Sequence, residues 1–361
     1  MKRFFGFIIV CLLIFVVLGY GVKVFRQQID SALSSQPAAQ RMPSPTPTGP
    51  EAEKIDETIF VPYWSIGPDF VPPTYQTLVY FGVNASTSGI DTTDDGYRRL
   101  KSFVEATENA NTLLTIGMID STTNFAILKN KVAQEKVIKD AISIAQDNNF
   151  KGIVLNIEVS ALPFPSLVDQ ITAFNTSFSD RVHKAGLSYG ITAYGDSFYR
   201  LRPFDMEKLS KNSDRVYIMA YDFSKAKGNP GPNFPLSGNN TYGYDLERMI
   251  NNFADTMQLK KITVVFGMYG YDWPVDENGK ASDMGEAISL KDIKASVLET
   301  CKHLKCEWER DALSSETKAT YIDDTTEHII WFEDEISVKR KQDFLKKHGI
   351  GSYAYWAYSY F

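Results

Sequence analysis

Eight short runs of β-branched and aromatic residues recur from Thr58 onward, and helix-periodic segments separate most of them. The runs are residues 59–63, 77–83, 112–118, 152–158, 187–194, 215–221, 262–268 and 351–356. Apolar side chains at helical spacing predict helices over 132–148, 166–185 and 336–348. Alternating strand and helix implies parallel pairing with right-handed crossovers. Eight such units in about 300 residues predict an α/β chain folded as a closed (β/α)8 TIM barrel, with its site at the carboxyl ends of the strands. The rhythm breaks once, from about 274 to 326, where a helical run at 289–304 is followed by short strands at 306–310 and 318–323. Residues 328–332 then resume an apolar strand. A small α+β insertion after the seventh strand is expected, walling one side of a groove at the barrel mouth.

The amino-terminal residues set the compartment. Residues 4–22 form an uncharged apolar run between Lys2-Arg3 and Lys23/Arg26. That run is long enough to cross a bilayer core, and no small-x-small cleavage site follows closely. It reads as a signal anchor, making 1–25 a transmembrane helix. Residues 26–57 read as a disordered linker, rich in Ser, Pro, Gln and Ala, in which Pro43-Ser-Pro-Thr-Pro-Thr-Gly-Pro50 is a stiff spacer. The barrel, 58–361, is then expected to be membrane-anchored and extracytoplasmic, at the cell surface. Formal net charge is −6 with no basic block outside the membrane flanks, which argues against nucleic acid as a partner. Four dispersed His and no Cys-x-x-Cys give no structural zinc site, and no glycine-rich phosphate loop follows a strand. Neither metal nor cofactor is expected, and the chain reads as a monomer. Cys301 and Cys306 fit a disulfide and two free thiols equally well.

The fourth run, Lys151-Gly-Ile-Val-Leu-Asn-Ile-Glu158, ends in an amide and a carboxylate two positions apart. Strand side chains alternate, so Asn156 and Glu158 point to the same side. A parallel strand is normally apolar on both faces, so a carboxylate there is costly to desolvate. Taken alone, the segment fits equally a Glu that simply leaves the strand for solvent or pairs with a Lys. The other predicted strand ends offer Tyr63 and Trp64, Tyr194, Met219 with Tyr221-Asp222, then Tyr269, Tyr271 and Trp273, and finally Trp356. Aromatic faces stack on sugar C–H faces while Asp, Asn and Tyr meet hydroxyls, so such a mouth suits a carbohydrate.

Several motifs together resemble glycoside hydrolase family 18, the chitinase-like barrels, and in particular the bacterial spore and cell-wall peptidoglycan N-acetylglucosaminidase branch. The family's Asp-Gly-x-Asp-x-Asp-x-Glu aligns without a gap on 151–158, and Met219-Ala-Tyr-Asp222 matches its Met-x-Tyr-Asp motif. Tyr269-Gly-Tyr-Asp-Trp-Pro274, His328-Ile-Ile-Trp-Phe-Glu-Asp334 and Trp356 resemble later segments of the spore-type members. The likeness covers 58–361. It implies hydrolysis of β-1,4-linked N-acetylglucosamine glycans, peptidoglycan or chitin-like, by a substrate-assisted retaining mechanism. In that mechanism the 2-acetamido oxygen of the substrate is the nucleophile, so no protein carboxylate attacks. The resemblance makes Glu158 the general acid, Tyr221 the partner of the acetamido group and Asp222 a ligand for a sugar hydroxyl or the scissile region. Lys151, Val154 and Asn156 stand where the family motif has Asp. Asn156 matters most, because it can accept an N–H but supplies no negative charge. Loss of one such electrostatic element costs about 10²–10³ in turnover. A catalytically inactive, lectin-like glycan binder is therefore the second expectation.

Overall fold

The computed structural model describes residues 56–298, 306–323 and 325–361. The expected anchor, the expected linker up to residue 55, and Cys301 lie outside the described residues. Among the described residues no helix is long and apolar enough to cross a membrane.

The chain begins with β1 (Asp56–Pro62), β2 (Thr77–Ser86), a two-residue β3 (Gly89–Ile90), β4 (Thr112–Met118) and β5 (Gly152–Ile157). Next come β6 (Ser188–Tyr194), β7 (Arg215–Ala220) and β8 (Ile262–Gly267). An insertion carries β9 (Tyr269–Val275), β10 (Glu286–Ser289), β11 (Glu307–Arg310), β12 (Thr317–Asp323) and β13 (Thr326–Phe332), and β14 (Ser352–Trp356) follows it. Strands β1, β2, β4, β5, β6, β7, β8 and β14 pair in parallel in that circular order, and β1 closes the ring by bonding both β2 and β14. All eight predicted runs are barrel strands, within a residue or three at their ends.

Alternation along each strand sorts the apolar side chains into two groups. Phe60, Val79, Val154, Tyr217, Val265 and Ala354 point inward and fill the barrel. The opposite faces, including Ile153 and Leu155 of β5, pack under the helices against Val137, Ile138, Ile171 and Phe174. The helices start where the sequence offers caps: Asn130 accepts the N–H groups of Val132 and Ala133 and opens Lys131–Asp147.

One helix sits unusually close to its strand. A Cβ on Gly96, in helix Asp95–Ala106, would lie 1.8 Å from the Gly82 carbonyl oxygen on β2. Tyr80 seals the contact by donating its hydroxyl to the Gly96 carbonyl. Gly96→Ala is therefore expected to destabilise the fold by about 1–3 kcal/mol through overpacking, measured as a lower urea midpoint with an unchanged slope.

The insertion is an antiparallel sheet in the order β10-β9-β13-β12-β11. It begins at Tyr269 rather than near residue 274, with only Met268 between it and the end of β8, and runs through Phe332. Residues 262–275 carry no turn-forming pair, so the aromatic segment looked like the tail of the seventh strand. Gly267 permits the break, since a Cβ there would meet Tyr269 at 2.5 Å and Tyr221 at 2.7 Å. Of the helix predicted over 289–304, the described part is one turn, Leu290–Asp292, continued by a π-helical turn, Ile293–Leu298.

Candidate active site

The carboxyl end of the barrel opens into a cavity of about 210 Å³ that Asn156, Glu158, Tyr194, Met219, Tyr221, Asp222, Tyr269 and Trp356 share. A larger hollow of about 450 Å³ at the opposite end is lined by Lys151, Asp214, Arg215 and strand-start residues. In this architecture chemistry belongs to the carboxyl face and the amino face serves stability.

Glu158 follows the last residue of β5, where backbone pairing fixes it. Its N–H donates to the Met118 carbonyl at 2.8 Å, and its own carbonyl accepts the Asn124 side-chain amide at 2.8 Å. The main chain that carries the carboxylate is therefore hydrogen-bonded on both sides. Its oxygen Oε1 accepts from Asn156 Nδ2 at 3.0 Å, while Asn156 Oδ1 accepts the Thr192 hydroxyl at 2.5 Å. The Thr192 contact orients the amide with its NH₂ toward Glu158.

Trp356, the last residue of β14, forms the floor. Phe60, Phe81 and Trp64 press on it with ring centroids 5.9, 4.8 and 6.1 Å away. Tyr221 lies beside it, 6.5 Å between centroids at 26°. Burial first, then the charges of Asp222 and Glu158, push the Tyr221 phenol far above its ordinary range. It is thus a permanent donor, and its hydroxyl makes no hydrogen bond to the described protein.

Asp222 has a left-handed backbone, φ 57°. Its N–H donates to Asn233 Oδ1 at 2.8 Å, and its Oδ1 accepts the hydroxyls of Tyr271 (2.8 Å) and Tyr269. Buried Asn233 donates in turn to the carbonyls of Gly267 (3.2 Å) and Tyr269 (3.1 Å). The N–H groups of Asn233 and Phe234 both end on the Glu316 carboxylate, at 2.5 and 2.7 Å. Glu316 is fully buried and pairs with Lys341 at 2.7 Å, and Lys341 also meets buried Glu333. Burial raises the Glu333 carboxyl to about 7, Lys341 pulling it down and Glu316 pushing it up.

The twelve residues picked from sequence divide clearly. Glu158, Asn156, Tyr194, Met219, Tyr221, Asp222, Tyr269 and Trp356 meet at the cavity. Tyr194, though, has Arg202 3.7 Å over its ring, so that face is already covered, and Arg202 is held by Asp196 at 2.6 Å. Trp64 stands at the rim, 48 % exposed, whereas Tyr63 packs against Gly82 and the core. Tyr271 serves Asp222 rather than lining the cavity. Trp273 needs correction: it is fully buried among Val275, Ile329 and Trp331, with its indole N–H on the Ala226 carbonyl at 3.2 Å. It is the core of the insertion sheet, because β9 starts a new sheet instead of ending the seventh barrel strand. Asn233, Glu316 and Lys341 were missed. Lys341 did carry a signal, three residues after Val338 and four before Leu345, on the buried face of its helix.

Comparison with known proteins agrees with this geometry. The putative sporulation-specific glycosylase YdhD of Bacillus subtilis is 24% identical over 250 residues, 68% of this chain and 56% of that protein. The chain thus spans about half the length of that relative. The crystal structure of the Bacillus cereus spore cortex-lytic enzyme SleL superposes with a TM-score of 0.67 at 18% identity, covering 85% of this chain and 71% of that one. Human YKL-39, described as a pseudo-chitinase with retained chitooligosaccharide binding, gives a TM-score of 0.70 at 16% identity over 84% of this chain and 92% of its own. Residues 59–360 match the family profile for glycosyl hydrolases family 18, and the chain belongs to that family.

Proposed function

We propose that this barrel hydrolyses β-1,4-linked N-acetylglucosamine glycans, peptidoglycan or chitin-like, by substrate-assisted retention. One observation carries the reading: a carboxyl group and an uncommitted, permanently protonated phenol share one cavity above an aromatic floor. A sugar stacked on Trp356 would have its acetamido group beside the Tyr221 hydroxyl and its glycosidic oxygen within reach of Glu158. Glu158 then gives its proton to that oxygen, the C1–O bond breaks, and the acetamido oxygen bonds to C1. Water attacks C1 in the second step and returns a proton to Glu158, restoring the acetamido group with net retention. In this reading the apolar run 4–22 tethers the barrel outside the cytoplasm, where such glycans lie.

Asn156 supports a second reading, a glycan-binding protein without turnover. It stands where the family motif has Asp, and the neutral amide it places 3.0 Å from Glu158 supplies no negative charge. The two readings separate when the full chain is incubated with chito-oligosaccharides and purified peptidoglycan and reducing ends are counted. If the site hydrolyses, Asn156→Asp is expected to raise kcat, because a carboxylate there adds negative charge next to the developing cation. Firm oligosaccharide binding with no Glu158-dependent release in either form would leave the binding protein.

A further inference from the structure

We infer that Asp222 supplies the negative charge that Asn156 lacks, held for that purpose by Tyr269, Tyr271 and the Asn233–Glu316 pair. The inference rests on the hydrolase reading and extends it to the source of electrostatic stabilisation. Substrate-assisted cleavage leaves positive charge on the sugar ring and the cyclised acetamido group, and a pre-placed anion is what such a charge needs. The cavity holds few carboxylates able to act. Glu158 must carry the proton it donates. Asp196 is already paired with Arg200 and Arg202. Asn156 is neutral, and its amide is committed to Glu158 and Thr192. Asp222 remains.

Its surroundings are built for an anion. Two phenols donate to Oδ1, and burial, followed by the Asp222 charge, raises both above their ordinary range, so neither competes as an anion. The second oxygen, Oδ2, has no hydrogen bond to the described protein. A non-glycine residue at φ 57° adopts a sparsely populated backbone and persists only where its neighbours over-determine it. Here Asn233 does so by accepting the Asp222 N–H, and Glu316 locks Asn233 through two main-chain amides. The insertion thus holds the carboxylate in place before substrate arrives, which avoids reorganisation at the moment of reaction. Tyr269, Tyr271, Asn233 and Glu316 are positioning residues in this scheme.

The test needs no turnover. Binding of a cationic azasugar with N-acetylglucosamine configuration is compared with that of neutral N-acetylglucosamine trimer, using the full chain and its Asp222→Asn, Tyr271→Phe and Asn156→Asp/Asp222→Asn variants. Asp222→Asn is expected to weaken the azasugar about tenfold, the scale of one hydrogen bond to a charged group, with the trimer changed by no more than about twofold. Tyr271→Phe should give a smaller loss of the same selectivity, and it decides the matter if Asp222→Asn does not fold. Adding Asn156→Asp should restore azasugar affinity, because one anion replaces the other. Equal weakening of both ligands, or a double variant as weak for the azasugar as Asp222→Asn, would overturn the inference. Failure of the unaltered chain to bind the trimer would instead remove the glycan reading beneath it.

Discussion

Replacing Glu158 by Gln is expected to lower kcat by about 10²- to 10⁴-fold, the usual contribution of a general acid, and to leave oligosaccharide affinity within a few fold. Gln keeps the volume and can still accept from Asn156, whose Nδ2 lies 3.0 Å from Oε1. The backbone stays pinned by the Met118 carbonyl and the Asn124 amide. What disappears is the proton delivered to the glycosidic oxygen. In the proposed reading binding rests on Trp356 and Tyr221, which the change does not touch, so the loss should appear in kcat and kcat/KM together with KM nearly constant. Reducing-end release that is the same in Glu158→Gln as in the unaltered chain would remove Glu158 from the chemistry.

The largest stability effect is expected from Lys341→Met, a loss of about 3–5 kcal/mol, because it strips the cation that, alone among the described residues, pairs with two fully buried carboxylates, Glu316 and Glu333. The deficit should depend on pH. The folded-state Glu333 carboxyl is raised from its ordinary 4.5 to about 7, chiefly by burial. Between those values the folded state binds a proton that the unfolded state does not, so this group's stabilisation is greatest at the acid end and is lost as pH rises. Removing Lys341 removes the attraction that lowers Glu333, so the variant should lose more with rising pH than the parent. Urea unfolding at pH 5 and pH 8 checks this: the deficit should be smaller at pH 5, and one below about 1 kcal/mol at both would refute the account. Because Glu316 backs Asn233, the variant should also lose turnover.

Legibility in the sequence followed the range of the forces involved. Strand periodicity is local, so the eight barrel strands and the position of Glu158 at the end of one could be read from runs of a few residues. The aromatic floor followed from the same count, since Trp356 closes the last run. The break between β8 and β9 could not be read, because it depends on Gly267 allowing Tyr221 and Tyr269 to crowd together, a contact between distant segments. Asn233 and Glu316 lie 83 positions apart, in loops with no periodic pattern. Their roles exist only because the insertion folds back on the barrel mouth. Asn156 was visible as a departure from the motif, but its bond from Thr192 on the neighbouring strand, which turns the amide, was not.

The closing strand has a consequence for biogenesis. β14 bonds β1 on one side and β8 on the other, and it carries the floor of the cavity. Every other strand of the ring has therefore left the ribosome before residues 352–356 emerge. Until then β1 and β8 present unpaired edges, open to wrong partners, and the cavity lacks Trp356. A chain that stalls before its last strand therefore keeps the edges of β1 and β8 exposed.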